Sequence, residues 1–134
     1  MIATFAAGLS GRLEDQFGDQ LRSVGYYDGD TNEFVYVRED VESEYESADV
    51  ARVFRNVRLE SLDRSHQESL YTHGALECTF RVFEEATEIH VDYDETSGVL
   101  VAVDAGEFDR LREITDLCLE VDSTEPTDDT LAEE

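Results

Sequence analysis

Residues 75–104 read ALECTFRVFEEATEIHVDYDETSGVLVAVD, and this stretch constrains the fold more than any other. Leu76, Cys78, Phe80 and Val82 alternate with Glu77, Thr79, Arg81 and Phe83. Ile89, Val91 and Tyr93 alternate with Glu88, His90 and Asp92, and Val99, Val101 and Val103 alternate with Leu100, Ala102 and Asp104. Side chains of a strand point to opposite faces in turn, so three adjacent runs of period two predict an antiparallel meander with one apolar and one mixed face. Between the second and third runs, Asp94 to Gly98 suits a three-residue hairpin loop with Gly98 in the left-handed bulge position. That register would pair Tyr93 with Val99.

Upstream, Ile2, Phe5, Ala6, Leu9, Leu13, Phe17 and Leu21 recur at helical spacing, which predicts an amphipathic helix over about residues 2–20. Gly8, Gly11 and Gly18 weaken it by about 1 kcal/mol each relative to Ala, so it needs tertiary support. Tyr26 and Tyr27, the turn cluster Asp28-Gly29-Asp30-Thr31-Asn32, and Phe34 to Val37 read as a hairpin. Residues 40–73 read as helical, with Ser47 as N-cap and Asp49 in the first turn. Val50, Val53, Phe54 and Val57 share one face of that helix, which breaks near Ser61 to Ser65. A second short helix is expected to reach His73, with Gly74 as its left-handed terminator. A last helix is expected to start at Asp104 or Gly106, with Asp104 and Glu107 as a capping box. Phe108, Leu111, Ile114, Leu117, Cys118 and Val121 would form its buried stripe. The division expected is one domain over residues 1–121 and a disordered acidic tail, DSTEPTDDTLAEE, over 122–134.

Charge bears on habitat before it bears on partners. Thirty-four Asp and Glu face ten basic residues, a formal net charge of −24, and every basic residue is Arg. Yet 40% of residues are hydrophobic and regularly patterned, which argues for a folded domain rather than disorder. A lysine-free, acidic, patterned chain fits a halophile cytoplasm, where multi-molar salt screens charge within about 3 Å. Cys78 and Cys118 form neither a CxxC pair nor a disulfide framework, which fits a reducing cytosol. The N-terminus has no basic region before an apolar run, and no stretch approaches the roughly 20 apolar residues of a membrane span. A cytoplasmic protein without a membrane partner is the expectation.

Helix, two strands, helical segment, three strands and helix is the element order. The fold class expected is α+β, an α/β sandwich. Its five-stranded antiparallel sheet takes the order 2-1-5-4-3, with N- and C-terminal helices and a helical crossover between strands 2 and 3. This order resembles the roadblock (dynein light chain 7-like) domain, which implies a middle helix on one sheet face and the terminal helices on the other. It is also similar to the PAS domain, which implies short helices between strands 2 and 3. Neither resemblance supplies a motif that carries functional residues onto this chain. The segments LRSVGYYDGDTNEFVYVREDV and ALECTFRVFEEATEIHVDYDETSGVLVAVD resemble small acidic haloarchaeal proteins of unknown function, over about residues 20–120.

Candidate chemistry is sparse. Glu88, His90 and Asp92 share one strand face with Arg81 across the meander, and a carboxylate–imidazole–carboxylate row can bind a metal or orient a proton. Residues two apart on a strand lie about 6.6 Å apart at the backbone, so cross-strand ion pairing with Arg81 is the plainer use of that face. Cys78 falls on the opposite face, away from His90. His66 and His73 lack metal-ligand spacing and read as structural or exposed. Arg52, Arg55, Arg58 and Arg64 concentrate four of the ten basic residues, either for pairing with Glu60, Asp63 and other carboxylates or as a docking stripe. Nucleic acid is disfavoured, because affinity from phosphate contacts falls steeply with salt and no reader motif is present. No GxSxG, P-loop or GxGxxG occurs, and no catalytic residue, metal or cofactor is assigned.

The leading expectation is therefore a non-enzymatic regulatory or scaffolding module, roadblock-like and homodimeric. Arg52, Arg55, Arg58, Arg81, His90 and Asp92 are its candidate partner-binding residues. The alternative is a PAS-like small-ligand sensor, with a pocket lined by Tyr26, Phe34, Phe54, Phe80 and Val101. An enzyme built on an unrecognised constellation around His90 is the third reading.

Overall fold

The computed structural model describes residues 2–106 and 110–124, with backbone only for 121–124. The first helix, α1 (Ile2–Phe17), buries Ala6, Leu9, Ser10, Leu13 and Phe17 along one stripe. Gly18, at φ +52°, ends it and leads through a 3-10 turn into β1 (Leu21–Asp28). A two-residue turn joins β1 to β2 (Thr31–Val37), and its Gly29 holds φ +60°, a conformation that side chains resist. The crossover contains α2 (Glu39–Glu42), α3 (Ser47–Leu62) and α4 (Arg64–Ser69). Strands β3 (Thr79–Val82), β4 (Ala86–Asp92) and β5 (Ser97–Asp104) follow, then α5 (Leu111–Thr124). The sheet is antiparallel with order β2-β1-β5-β4-β3, so the α+β architecture expected from the alternation is the one observed.

The central strand β5 is apolar on both faces, and helices cover both. Val24, Tyr26, Ile89, Val91, Val99, Val101 and Val103 pack with Leu9, Leu13, Ile114 and Cys118 of α1 and α5. Each such side chain, fully buried, contributes about 1.5–3 kcal/mol. On the opposite face Tyr27 and Leu100 pack with Phe54 and Val57 of α3. Gly25 makes that approach tolerable, because a Cβ there would lie 2.9 Å from both the Phe34 and Phe54 rings. Where the sheet ends, Arg38 donates to both carboxylate oxygens of Asp104 (2.9 and 3.1 Å), to Asp40 (2.6 Å) and to the Asp19 carbonyl (2.5 Å).

Several local expectations are corrected. Glu46, not Ser47, caps α3: the Asp49 carboxylate accepts the Glu46 backbone N–H at 3.0 Å, which closes a capping box one residue earlier. The helix expected to reach His73 stops at Ser69. Gly98 lies inside β5 opposite Asp92, without a left-handed φ, and Val99 pairs with Val91 rather than Tyr93. The turn needs no bulge glycine because the Asp94 carboxylate accepts from the Thr96 N–H (2.8 Å) and Ser97 hydroxyl (3.0 Å). Leu76 and Cys78 precede β3, and Phe80 and Val82 are 40% and 64% exposed. They sit on an edge strand beyond the cover of α1 and α5. The described helix α5 begins at Leu111 and continues through Thr124. Glu107, Phe108 and the tail beyond Thr124 lie outside the described residues.

Candidate functional site

The polar face of the meander is covered by α3, and His90 and Arg81 there are paired with groups of α3 and β1. His90, 4% exposed, takes the centre of a hydrogen-bonded chain. Its Nδ1–H donates to Glu60 Oε1 at 2.8 Å, while its Nε2 accepts from the Tyr27 hydroxyl at 2.7 Å. With Glu60 paired to Arg81, its carboxylate serves as acceptor, which assigns the proton to Nδ1. Tyr27 in turn accepts from the buried Ser61 hydroxyl, and Arg81 forms an ion pair with the second Glu60 oxygen. Helical spacing puts Val57, Glu60 and Ser61 of α3 on one face, while strand pairing brings Tyr27 of β1, His90 of β4 and Arg81 of β3 beneath it. Gly98 makes room for this chain: a Cβ there would come within 2.6 Å of the Tyr27 hydroxyl and the Val91 carbonyl.

Burial decides the protonation states. It pushes the His90 imidazole down to about 4, with Asp92 opposing and Arg81 assisting the shift. It also pushes the Tyr27 phenol well above its ordinary range. Asp92 is raised by burial as well, although Arg64 lies 3.9 Å from its carboxylate and donates to its backbone carbonyl at 3.0 Å. Neutral His90 therefore acts as a bridge between a phenol and a carboxylate. Both of its nitrogens are engaged inside the protein, and the network fastens α3 to the sheet.

Beside this network, a cavity of about 530 Å³ lies between the sheet and α2 and α3. Its floor is Leu100 and Ala102 of β5, and its walls include Phe34, Val37, Val50 and Val53. Glu88 projects into it from β4, and Arg22 lies at the β1 side. Of the pocket residues expected from sequence, Phe34 alone lines this cavity. Tyr26 and Val101 belong to the opposite face, Phe54 of α3 is packed against Tyr27 and Leu100, and Phe80 is at the sheet edge. Alternation along β1 and β5 accounts for the difference, since Tyr27 and Leu100, not Tyr26 and Val101, point toward α3.

The candidate partner-binding residues are dispersed. Arg81, His90 and Asp92 are drawn into the network and its neighbour Arg64. Arg58 donates to the Gly29 and Thr31 carbonyls and to Asn32, with its guanidinium 5.8 Å from the Tyr27 ring centre. Arg52 pairs with Asp49 at 2.8 Å, and both Arg52 and Arg55 are exposed. His66 and His73 are exposed too, and His73 stacks on Tyr71 at 5.1 Å. Ser61 and Tyr27 are the residues whose part in the network sequence reasoning passed over, while Glu60, expected to pair with an arginine of its own helix, pairs with Arg81 and His90. The rule that a covered polar face must be internally paired pointed to such partners without saying which. Among the described residues, no three His, Cys, Asp or Glu side chains gather so as to hold a metal ion, and no helix is long and apolar enough to cross a membrane.

A family model matches residues 7–122 and so spans the whole sheet, the network and the cavity. The chain belongs to the family described as Domain of unknown function (DUF7522). No curated protein and no solved structure matches it.

Proposed function

We propose that the protein is a non-enzymatic regulatory module that binds a small ligand in the cavity between the sheet and α2–α3, in the manner of a PAS-like sensor. The cavity itself carries this reading. Ligand sites are typically concave, mainly apolar spaces of roughly 300–1,000 Å³ with a few convergent polar groups. This one offers about 530 Å³, with an aliphatic and aromatic lining interrupted by carboxylates and Arg22. A halophile cytoplasm is the setting we infer from the −24 charge and the absence of lysine. The test is native mass spectrometry of the full chain purified in KCl without denaturation. A co-purifying small molecule is expected on the wild type and absent from Val53→Trp, which fills the cavity. Equal retention by the variant, or none by either, contradicts the reading.

A second reading, a roadblock-like homodimeric interaction module, is favoured by the layering. The terminal helices share one sheet face and α3 takes the other, as that resemblance implies. Exposed Phe80, Val82 and Phe83 lie together at the β3 end of the sheet. Light scattering in 2–3 M KCl should then give twice the 15.2 kDa chain mass, and a monomer counts against it.

A further inference from the structure

We propose that this cavity selects a small organic cation, an amine or quaternary ammonium carried on an apolar body, with Glu88 as its counter-charge. The inference rests on the ligand-binding reading above and adds the chemical class of the ligand.

Charge around the cavity argues for it first. Glu42, Glu44, Glu85 and Glu88 line it against a single guanidinium, Arg22. Arg22 is already engaged, 3.2 Å from Asp104 and 3.6 Å from Glu44. An anionic ligand would meet four carboxylates and no free cation among the described lining residues.

The position of Glu88 argues for it independently of the acidic background. Most carboxylates of this chain stand in solvent, whereas Glu88 is drawn in beside Ala102 on the covered face of β4. Among the described residues none donates a hydrogen bond to it, and none lies at ion-pair distance. Arg81, its partner across the β3–β4 ladder, is turned to Glu60. Burial pushes the Glu88 carboxyl up, against the pull of Arg81 and Arg22. A half-buried carboxylate without a donor is less favourable than a paired one, and a cationic ligand would supply both donor and counter-charge. Phe34, Val50, Val53 and Leu100 would hold the apolar body, an aromatic or branched aliphatic group. A neutral ligand would fill the same space and leave the charge of Glu88 unbalanced, even where it offers a hydroxyl donor.

Three probes of one shape separate the charge states: 2-phenylethylamine, 2-phenylethanol and 3-phenylpropanoate. Each is titrated calorimetrically into the full chain at one fixed KCl concentration. We expect the amine to bind at least about tenfold more tightly than the alcohol, as one charge-assisted contact provides, with no heat from the carboxylate. Glu88→Gln, checked for retained circular dichroism, should abolish that preference and leave the alcohol within about twofold of wild type. Equal wild-type affinity for amine and alcohol, tighter binding of the carboxylate, or an amine preference surviving in Glu88→Gln overturns the cation inference while the cavity remains a binding site. Absence of heat from all three probes overturns the ligand-binding reading with it. The wild-type series needs no variant, so the inference stays exposed to refutation even if Glu88→Gln misfolds.

Discussion

One face of the sheet meets α1 and α5 through Val24, Ile89, Val91, Val99, Val101 and Val103, while the other meets α3 through Tyr27, Leu100, Phe54, Val57 and a chain of hydrogen bonds. The first contact is mainly apolar and wide. It supplies stability through burial but is indifferent to small shifts of the helices, since apolar contact has no direction. The second is narrower and directional. His90 must find Glu60 and Tyr27 together, which dictates where α3 sits. Beside the point where α3 is held, the cavity lies over Leu100 and Ala102 with α2 on its far side. One face thus concentrates stability, and the other concentrates specificity and space.

The largest effect that would break this contrast is on the valine face. Leu13→Ala, at a fully buried position of α1, should destabilise by about 2–5 kcal/mol, read from chemical denaturation. A loss below 1 kcal/mol would mean that α1 is not a main support.

Next comes acid. His90 has a folded value near 4 against 6.5 for the free side chain, so folding favours its neutral form. Its contribution, about 3 kcal/mol, is complete above pH 6.5 and lost as the pH falls toward 4. Glu88 and Asp92, raised by burial, titrate in the opposite sense, so the comparison must be with His90→Gln. The stability difference between wild type and His90→Gln should shrink from pH 7 to pH 4. A difference constant with pH would show that His90 does not titrate with folding.

Smaller again is Tyr27→Phe. It leaves His90 Nε2 and Ser61 without their partner while keeping the ring, at about 1–3 kcal/mol. Hydrogen exchange should accelerate in α3 before it does in α1, and uniform acceleration would erase the distinction between the faces. Val82→Thr should change stability by less than about 0.5 kcal/mol, because its side chain is 64% exposed. A large loss there would place β3 under a cover not seen among the described residues.

The sheet was legible because alternation is a local property: Ile89, Val91 and Val99 to Val103 declare their faces in consecutive residues. How far the helices reach is not local, so Phe80 and Val82 read as core although they lie past the edge of the cover. Gly98 read as a turn glycine because its neighbours are turn formers. Its real constraint is the Tyr27 hydroxyl, distant in sequence. The same separation hid the network. Nothing around Glu60 or Ser61 distinguishes them from other helix-surface residues until the strands bring Tyr27 and His90 beneath them. The cavity was least legible, since it is defined by volume that several elements together fail to fill.

Arg38 reaches Asp104 at the end of β5, Asp40 in α2 and the backbone before β1 from a single guanidinium. In polymer terms it behaves as a non-covalent cross-link that shortens two loops at once, so part of its worth lies in conformations denied to the unfastened chain. A planar fork can serve several acceptors together, whereas an ammonium could satisfy them only by turns. Replacing it with lysine would preserve the charge and lose the junction, and the strand ends would gain freedom without any large change in the core.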